Sequence, residues 1–442
     1  MIQQDRLKTI VNLALPIIGA MISSNLLGLV DTYMVSHLGE TALAATAMGG
    51  FAGQLIMALV AGFSSGVQAM TARRKGEDKK EVLCHPLNSG LFMALIVGLP
   101  VTLVTYSLVP SFFPTLIDDP EVVALGIPYM EIIVLSTIPV GMSVSFTGFW
   151  NGVGRPRVYM NTLIATHIVN VFLNWVLIYG NLGAPALGVT GAALASLTAV
   201  LFGLSIYFVL GFRKTRENGF LATWPDKTNL RNLLKLALPS CFQRGMFWLG
   251  YLLFFWMVAR VGVEALAVAN VLTQLTMFTI LPGMGMGMAA ATLVGQALGR
   301  EDSDDAYKWT WDVIKVGGFA GFGLGLPLVL FPGAVLSFFN LGDPAILAIG
   351  IVPTQIVGIT TGIFSFNYIF MNSLLGAGAA RRVMFTSMAC QWGFFIPAVY
   401  VAAIVLNQSL TVIWIVQACY GIMAGLAYGI QWKMRVWTDI KV

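Results

Sequence analysis

The chain has 442 residues, 57% of them hydrophobic and only 10% charged. A soluble domain is about 45–50% apolar and about 25% charged, so this chain lacks the charge to cover a soluble surface, which excludes a soluble enzyme or nucleic-acid binder. The net charge of +5 signals no nucleic acid, because in a membrane chain the placement of basic residues matters more than their sum.

The apolar residues fall in blocks of about 20 or more, each able to cross a hydrocarbon core of about 30 Å. The alternating ~10-residue segments of a membrane barrel do not occur. The expected fold is therefore an all-α polytopic membrane protein with twelve spans. The first six run over 10–36, 44–72, 88–109, 121–147, 157–181 and 188–212. The last six run over 232–260, 266–297, 309–335, 345–373, 380–405 and 409–433. Several exceed the ~20 residues needed to cross, so tilted or kinked helices are expected. The first apolar run starts near Ile10 without a small-residue cleavage site, and is expected to stay as a span. The longest connection, 213–231, separates an N-terminal lobe (1–212) from a C-terminal lobe (232–442).

In chain order, the first span carries Pro16, which favours a kink, and Asp31, the first of two acids deep within a span. A buried carboxyl costs at least about 2.5–3.5 kcal/mol at a helix centre, and such residues mark ion pathways by default. Tyr33, two residues on, is a candidate for a substrate cleft. The fourth span carries the second deep acid, Glu131, a second proton site or a partner for a donor. In the fifth span, HIVNVFLNWVLIYG, Asn170 and Asn174 share one face. Their amides can bond an acid, and their carbonyls can coordinate Na⁺; interhelical packing is the plainer role. His167 lies on roughly the same face and is read as structural before catalytic. The seventh span holds Pro239, Gln243 and Arg244. Gln243 is a second cleft candidate, and Arg244 can snorkel. Asp312, at the start of the ninth span, reads as interfacial.

With the N-terminus placed inside, all but three of the 25 Lys and Arg residues fall on the inner side. The exceptions are Arg260 at an outer end and Arg244 and Lys315 within spans. This bias supports the even span count and cytoplasmic N- and C-termini. The chain also repeats itself. LALP occurs at 13–16 and 236–239, an offset of 223 that holds through Gly39/Gly262, Gly62/Gly285 and Gly76/Gly299. GVGRPRV at 152–158 resembles GAGAARRV at 376–383. Two six-helix halves with an even span number have the same orientation, so the repeat is parallel, an arrangement of transporters with a cleft between halves. The counterpart of Asp31 is Phe254, so the acid belongs to one half only. No P-loop (GxxxxGK[ST]) or HExxH motif occurs, and the four cysteines have no metal spacing. The chain is therefore expected to be no enzyme, to need no cofactor, and to draw energy from an ion or substrate gradient. The 21 Met and the many aromatic residues suit lipophilic cations, although most must face lipid or pack helices.

LALPIIGAMISSNLLGLVDTYMVSHLG, GVGRPRVYMNTLI and VNVFLNWVLIYGNLGAPALGVTGAALAS resemble the multidrug and toxic compound extrusion (MATE) family, over essentially the whole chain and closest to its NorM branch. The resemblance implies two lobes in a V, acting as a monomer in the bacterial inner membrane. It implies export of cationic drugs and dyes in exchange for H⁺ or Na⁺. It places the family's first-span acid on Asp31, its fifth-span polar pair on Asn170 and Asn174, and a sixth-span hydroxyl on Ser196. Na⁺-coupled NorM relatives carry acids in the seventh and tenth spans. None stands there in this chain, which favours H⁺ at Asp31. Na⁺ at Asp31, Asn170 and Asn174 remains the alternative. A flippase for lipid-linked precursors is a further alternative that would need basic residues in the cleft. A passive channel and an intramembrane enzyme are weaker rivals.

Overall fold

The computed structural model describes residues 3–339 and 344–440. Lys441, part of the basic asymmetry, lies outside the described residues. Among them every regular element is helical. The first half contains α1 (Gln4–Ser36), α2 (Glu40–Gly76), α3 (His85–Phe112), α4 (Pro120–Leu135), α5 (Thr137–Val153), α6 (Pro156–Tyr179) and α7 (Gly188–Thr215). The second contains α8 (Lys227–Ala259), α9 (Val263–Gly299), α10 (Ser303–Leu330), the short α11 (Pro332–Phe338) and α12 (Pro344–Gly376). It ends with α13 (Ala380–Cys390), α14 (Ile396–Tyr400) and α15 (Leu410–Lys433).

Among the described residues nine helices are long and apolar enough to cross a membrane, or eleven when two bent pairs each count as one span. The 33-residue α8 is a further helix of spanning length, its apolar run interrupted by Gln243 and Arg244. The fourth span breaks into α4 and α5 at an angle of 44°. Pro139 has no N–H for the Leu135 carbonyl. Beside that gap, Ser136 Oγ and Thr137 Oγ1 donate back to the Ile133 and Val134 carbonyls, both at 2.6 Å. The eleventh span is α13 and α14 joined by a wide turn, Gln391–Phe395, in which the Ile396 N–H reaches the Gln391 carbonyl. Pro397 again withholds a donor there.

Two compact units result. One comprises Met1–Ile18 and Phe242–Val442, the other Gly19–Cys241. Compactness therefore divides the chain inside α1 and α8, and not at the 213–231 connection. The crossings at 18 and 241 are one repeat offset apart, each two residues past a proline, Pro16 or Pro239. Equivalent positions also tether the two leading helices. In the first unit the Arg6 guanidinium donates to Asp305 and Asp312 of α10, both at 2.6 Å, and lies 3.7 Å from the Trp309 ring. In the second, Asn229, the repeat counterpart of Arg6, accepts from Arg74 of α2 and donates to Asp226 at 2.6 Å.

Small residues set the closest helix contacts, as expected where lipid removes the hydrophobic drive for association. A Cβ on Gly325 of α10 would stand 2.0 Å from the backbone oxygen of Gly358 in α12. Gly325→Ala is expected to separate these helices and destabilise the first unit by about 1–3 kcal/mol. Thermal unfolding of the detergent-solubilised protein should show a lowered Tm; an unchanged Tm would mean that α10 and α12 can part freely.

Candidate functional site

The site is built within the second unit by α1, α6 and α7. Gly180 ends α6 in the left-handed region at φ +76°, a conformation that costs other residues. The chain then turns back so that the Leu187 N–H donates to the Leu177 carbonyl at 2.9 Å. Gly191 rests on that carbonyl: a Cβ there would lie 2.4 Å from it. This tight hairpin sets Ser196 of α7 opposite Asn170 of α6.

A chain of side-chain hydrogen bonds runs from α7 to α1. Asn170 Nδ2 donates to Ser196 Oγ at 3.3 Å. Asn174 Nδ2 donates to Asn170 Oδ1 at 3.1 Å and to Asp31 Oδ1 at 2.6 Å. Both asparagines are buried, and Asp31 is half-buried. Asn174 Oδ1 is buried without a hydrogen-bond partner. A carboxylate beside an unused carbonyl oxygen can accept a proton or meet a cation. Toward the ends of α1 and α6 the site is closed by an apolar cluster of Met34, Val35, Ala42, Ile178, Val189 and Ala192.

The structure thus joins Asp31, Asn170, Asn174 and Ser196. Other candidates stand outside this network. Glu131 on α4 is half-buried and makes no hydrogen bond or ion pair among the described residues. Tyr33 is 68% exposed, its ring edge-on to His37. Gln243 belongs to the first unit, where its amide reaches Ser387 Oγ at 3.4 Å and Met371 Sδ at 3.6 Å. Pro16 lies well inside α1, which begins at Gln4, so its place is no helix start where proline is tolerated. His167 Nδ1 is 2.8 Å from Ser23 Oγ, a second tie between α1 and α6. A third, Tyr179 to the Met34 carbonyl at 2.7 Å, was not evident from the sequence, since a lone tyrosine near a span end is unremarkable there.

The other half shows what the same place looks like without a site. Phe254, the counterpart of Asp31, is 1% exposed and stacks on Phe395, 5.6 Å away, and edge-on to Trp414. Aligning Val158 with Val383 puts Phe395 and Val399 opposite Asn170 and Asn174. Phe254, Phe395 and Val399 pack in one apolar cluster. The fold therefore does not need the polar set. Among the described residues no group of three or more His, Cys, Asp or Glu could hold a metal ion.

A repeated bundle of membrane-spanning helices, with one acid held by the Asn174 amide in one repeat, defines a membrane transporter of the multi-pass class. The MatE family profile matches residues 16–176 and 239–401, two segments starting one repeat offset apart, at the two prolines. The chain belongs to the MatE family of transporters. It is 23% identical over 415 residues to the probable multidrug resistance protein NorM of Thermotoga maritima, covering 92% of this chain and 88% of that protein. It is 26% identical to the probable NorM of a Synechococcus strain, covering 95% and 92%. An outward-facing multidrug resistance MATE family transporter of the MOP superfamily superposes with a TM-score of 0.89 at 22% identity, over 97% of this chain and 95% of that one. These relatives are transporters and not enzymes.

Proposed function

We propose that this chain exports lipophilic organic cations and drugs across the bacterial inner membrane in exchange for protons, with Asp31 as the proton-binding group. It works as a monomer, both termini in the cytoplasm. The observation that carries this reading is the Asp31–Asn174 hydrogen bond at 2.6 Å, set where the other repeat holds Phe254 in an apolar cluster. In this topology Asp31 lies five residues before the outer end of α1, about 8 Å at 1.5 Å per residue. Ionised, it accepts from Asn174 and attracts a cation. A proton from outside removes that charge and weakens the hold on the cation, which leaves. Release of the proton inside restores the anion.

The unpartnered Asn174 Oδ1 favours one second reading, in which Na⁺ binds between that oxygen and the Asp31 carboxylate. Efflux of a cationic dye from proteoliposomes, under a pH gradient and under a Na⁺ gradient separately, distinguishes them. Transport driven by the pH gradient without Na⁺ is expected. Transport that needs Na⁺ selects the second reading, and transport indifferent to both rejects antiport.

A further inference from the structure

A groove outside the transport site lies on the side of the membrane that carries the α2–α3 and α7–α8 connections. Its floor is one face of α3, formed by Asn88, Leu91, Phe92 and Leu95 at helical spacing. Phe208 of α7 stands at its back, and residues 221–225 of the connection to α8 form a roof. The cavity measures about 440 Å³, within the ~300–1,000 Å³ range of small-molecule sites.

The roof is held over this space rather than packed into it. Buried Asn88 clips the connection twice, donating to the Gly219 carbonyl at 2.8 Å and accepting from the Leu221 N–H at 3.1 Å. Leu221 is thereby kept at φ +48°, a left-handed conformation unfavourable for a residue with a Cβ. Phe220, fully buried, fixes the roof's near end among Phe146, Phe208 and Phe212. At the far end Trp224 remains 84% exposed, meeting Phe92 edge-on at 6.0 Å. An indole presented in this way suits the boundary between water and lipid.

Charge selects the occupant. Both polar atoms of the Asn88 side chain are engaged in the clip, so the floor and back offer apolar surface. At the base of the roof stands Arg216, exposed, donating to the Phe220 carbonyl at 2.8 Å with its guanidinium 5.8 Å from the Phe212 ring. The rest of its fork can meet an anion, and Arg213 and Lys214 in the last turn of α7 add the same sign. One acid, Glu217, stands beside these three basic residues, so the net charge there is positive and favours an anion. We propose that the groove holds one acyl chain of a membrane phospholipid whose anionic headgroup meets Arg216. The inference does not depend on the coupling ion or on Asp31.

Native mass spectrometry of the delipidated full-length protein, given phosphatidylglycerol, phosphatidylcholine or glycerol phosphate, tests this. One phosphatidylglycerol is expected to be retained in preference to phosphatidylcholine, with no displacement by glycerol phosphate. Ala222→Trp, in the roof, and Leu95→Trp, in the floor, each fill the groove and should lower retention of both lipids about ten-fold, a loss of 1.4 kcal/mol. Arg216→Gln should remove the headgroup preference and leave equal, weaker binding. Undiminished retention in both filling variants, an intact preference in Arg216→Gln, or displacement by glycerol phosphate overturns the proposal.

Discussion

Asp31→Asn is expected to abolish drug-driven proton exchange while leaving the protein folded. The carbonyl of the substituted amide can still accept from Asn174, so the tie between α1 and α6 survives. Only the titratable group is lost. Asn170, Asn174 and Ser196, the other members of the network, cannot take its place, because amides and hydroxyls do not ionise in the physiological range. A positioned proton-transfer group commonly contributes about 10²–10⁴-fold, and exchange should fall by at least the lower figure. The measurement is internal pH in proteoliposomes after addition of a cationic drug. Glu131→Gln is the matched control: its carboxylate has no partner among the described residues, and the variant should exchange at nearly the wild-type rate. Full exchange by Asp31→Asn would sink the mechanism. Loss in Glu131→Gln alone would move the coupling to α4.

The bilayer made much of this architecture readable in one dimension. Unbroken apolar runs and one-sided basic residues follow from the cost of exposing polar groups to lipid. Breaks within spans were less readable. Pro16, Pro282 and Pro353 lie inside helices that continue past them, while the fourth span breaks near Pro139. Thr279, three residues before Pro282, donates to the Thr276 carbonyl just as Ser136 does to Ile133 before Pro139, yet α9 continues, so neither a proline nor a neighbouring hydroxyl announces the break in the sequence. The crossing of α1 between units was also hidden, because an apolar sequence does not name its neighbour. In the site, Asp31, Asn170 and Asn174 stood out because an acid and paired amides are costly in a span. Ser23 and Tyr179 did not, since both residue types are tolerated there singly. The exposed position of Tyr33 and the internal bonding of Gln243 depend on which way each helix face turns, and periodicity is a poor guide where lipid-facing and protein-facing sides are equally apolar.

Asn174→Leu should separate coupling from stability. The amide is 1% exposed, and leucine is similar in size, so no large cavity follows. One buried acceptor, Asn174 Oδ1, is already unpartnered, and its removal offsets part of the two lost hydrogen bonds. Buried Asn170 Oδ1 and Asp31 each lose a donor, so the Tm should fall modestly while the protein stays folded. For ionised Asp31 the lost donor is the one that holds it at 2.6 Å. Hydrogen bonds to charged groups contribute about 1.5–3 kcal/mol, equivalent to roughly 10–100-fold in an equilibrium constant. Binding of a cationic dye and proton exchange should both fall within that range. Phe254→Leu in the other half should affect stability alone. It opens space in the cluster with Phe395 and Trp414, lowers the Tm, and leaves exchange coupled. Both quantities can be read on the same preparations, by thermal unfolding and by internal pH. Wild-type exchange in Asn174→Leu would show that Asp31 needs no amide to work. Uncoupling in Phe254→Leu would show that the apolar repeat takes part in the chemistry after all. The expected contrast in exchange would locate ion coupling in one repeat of a fold whose two halves share a common sequence ancestry.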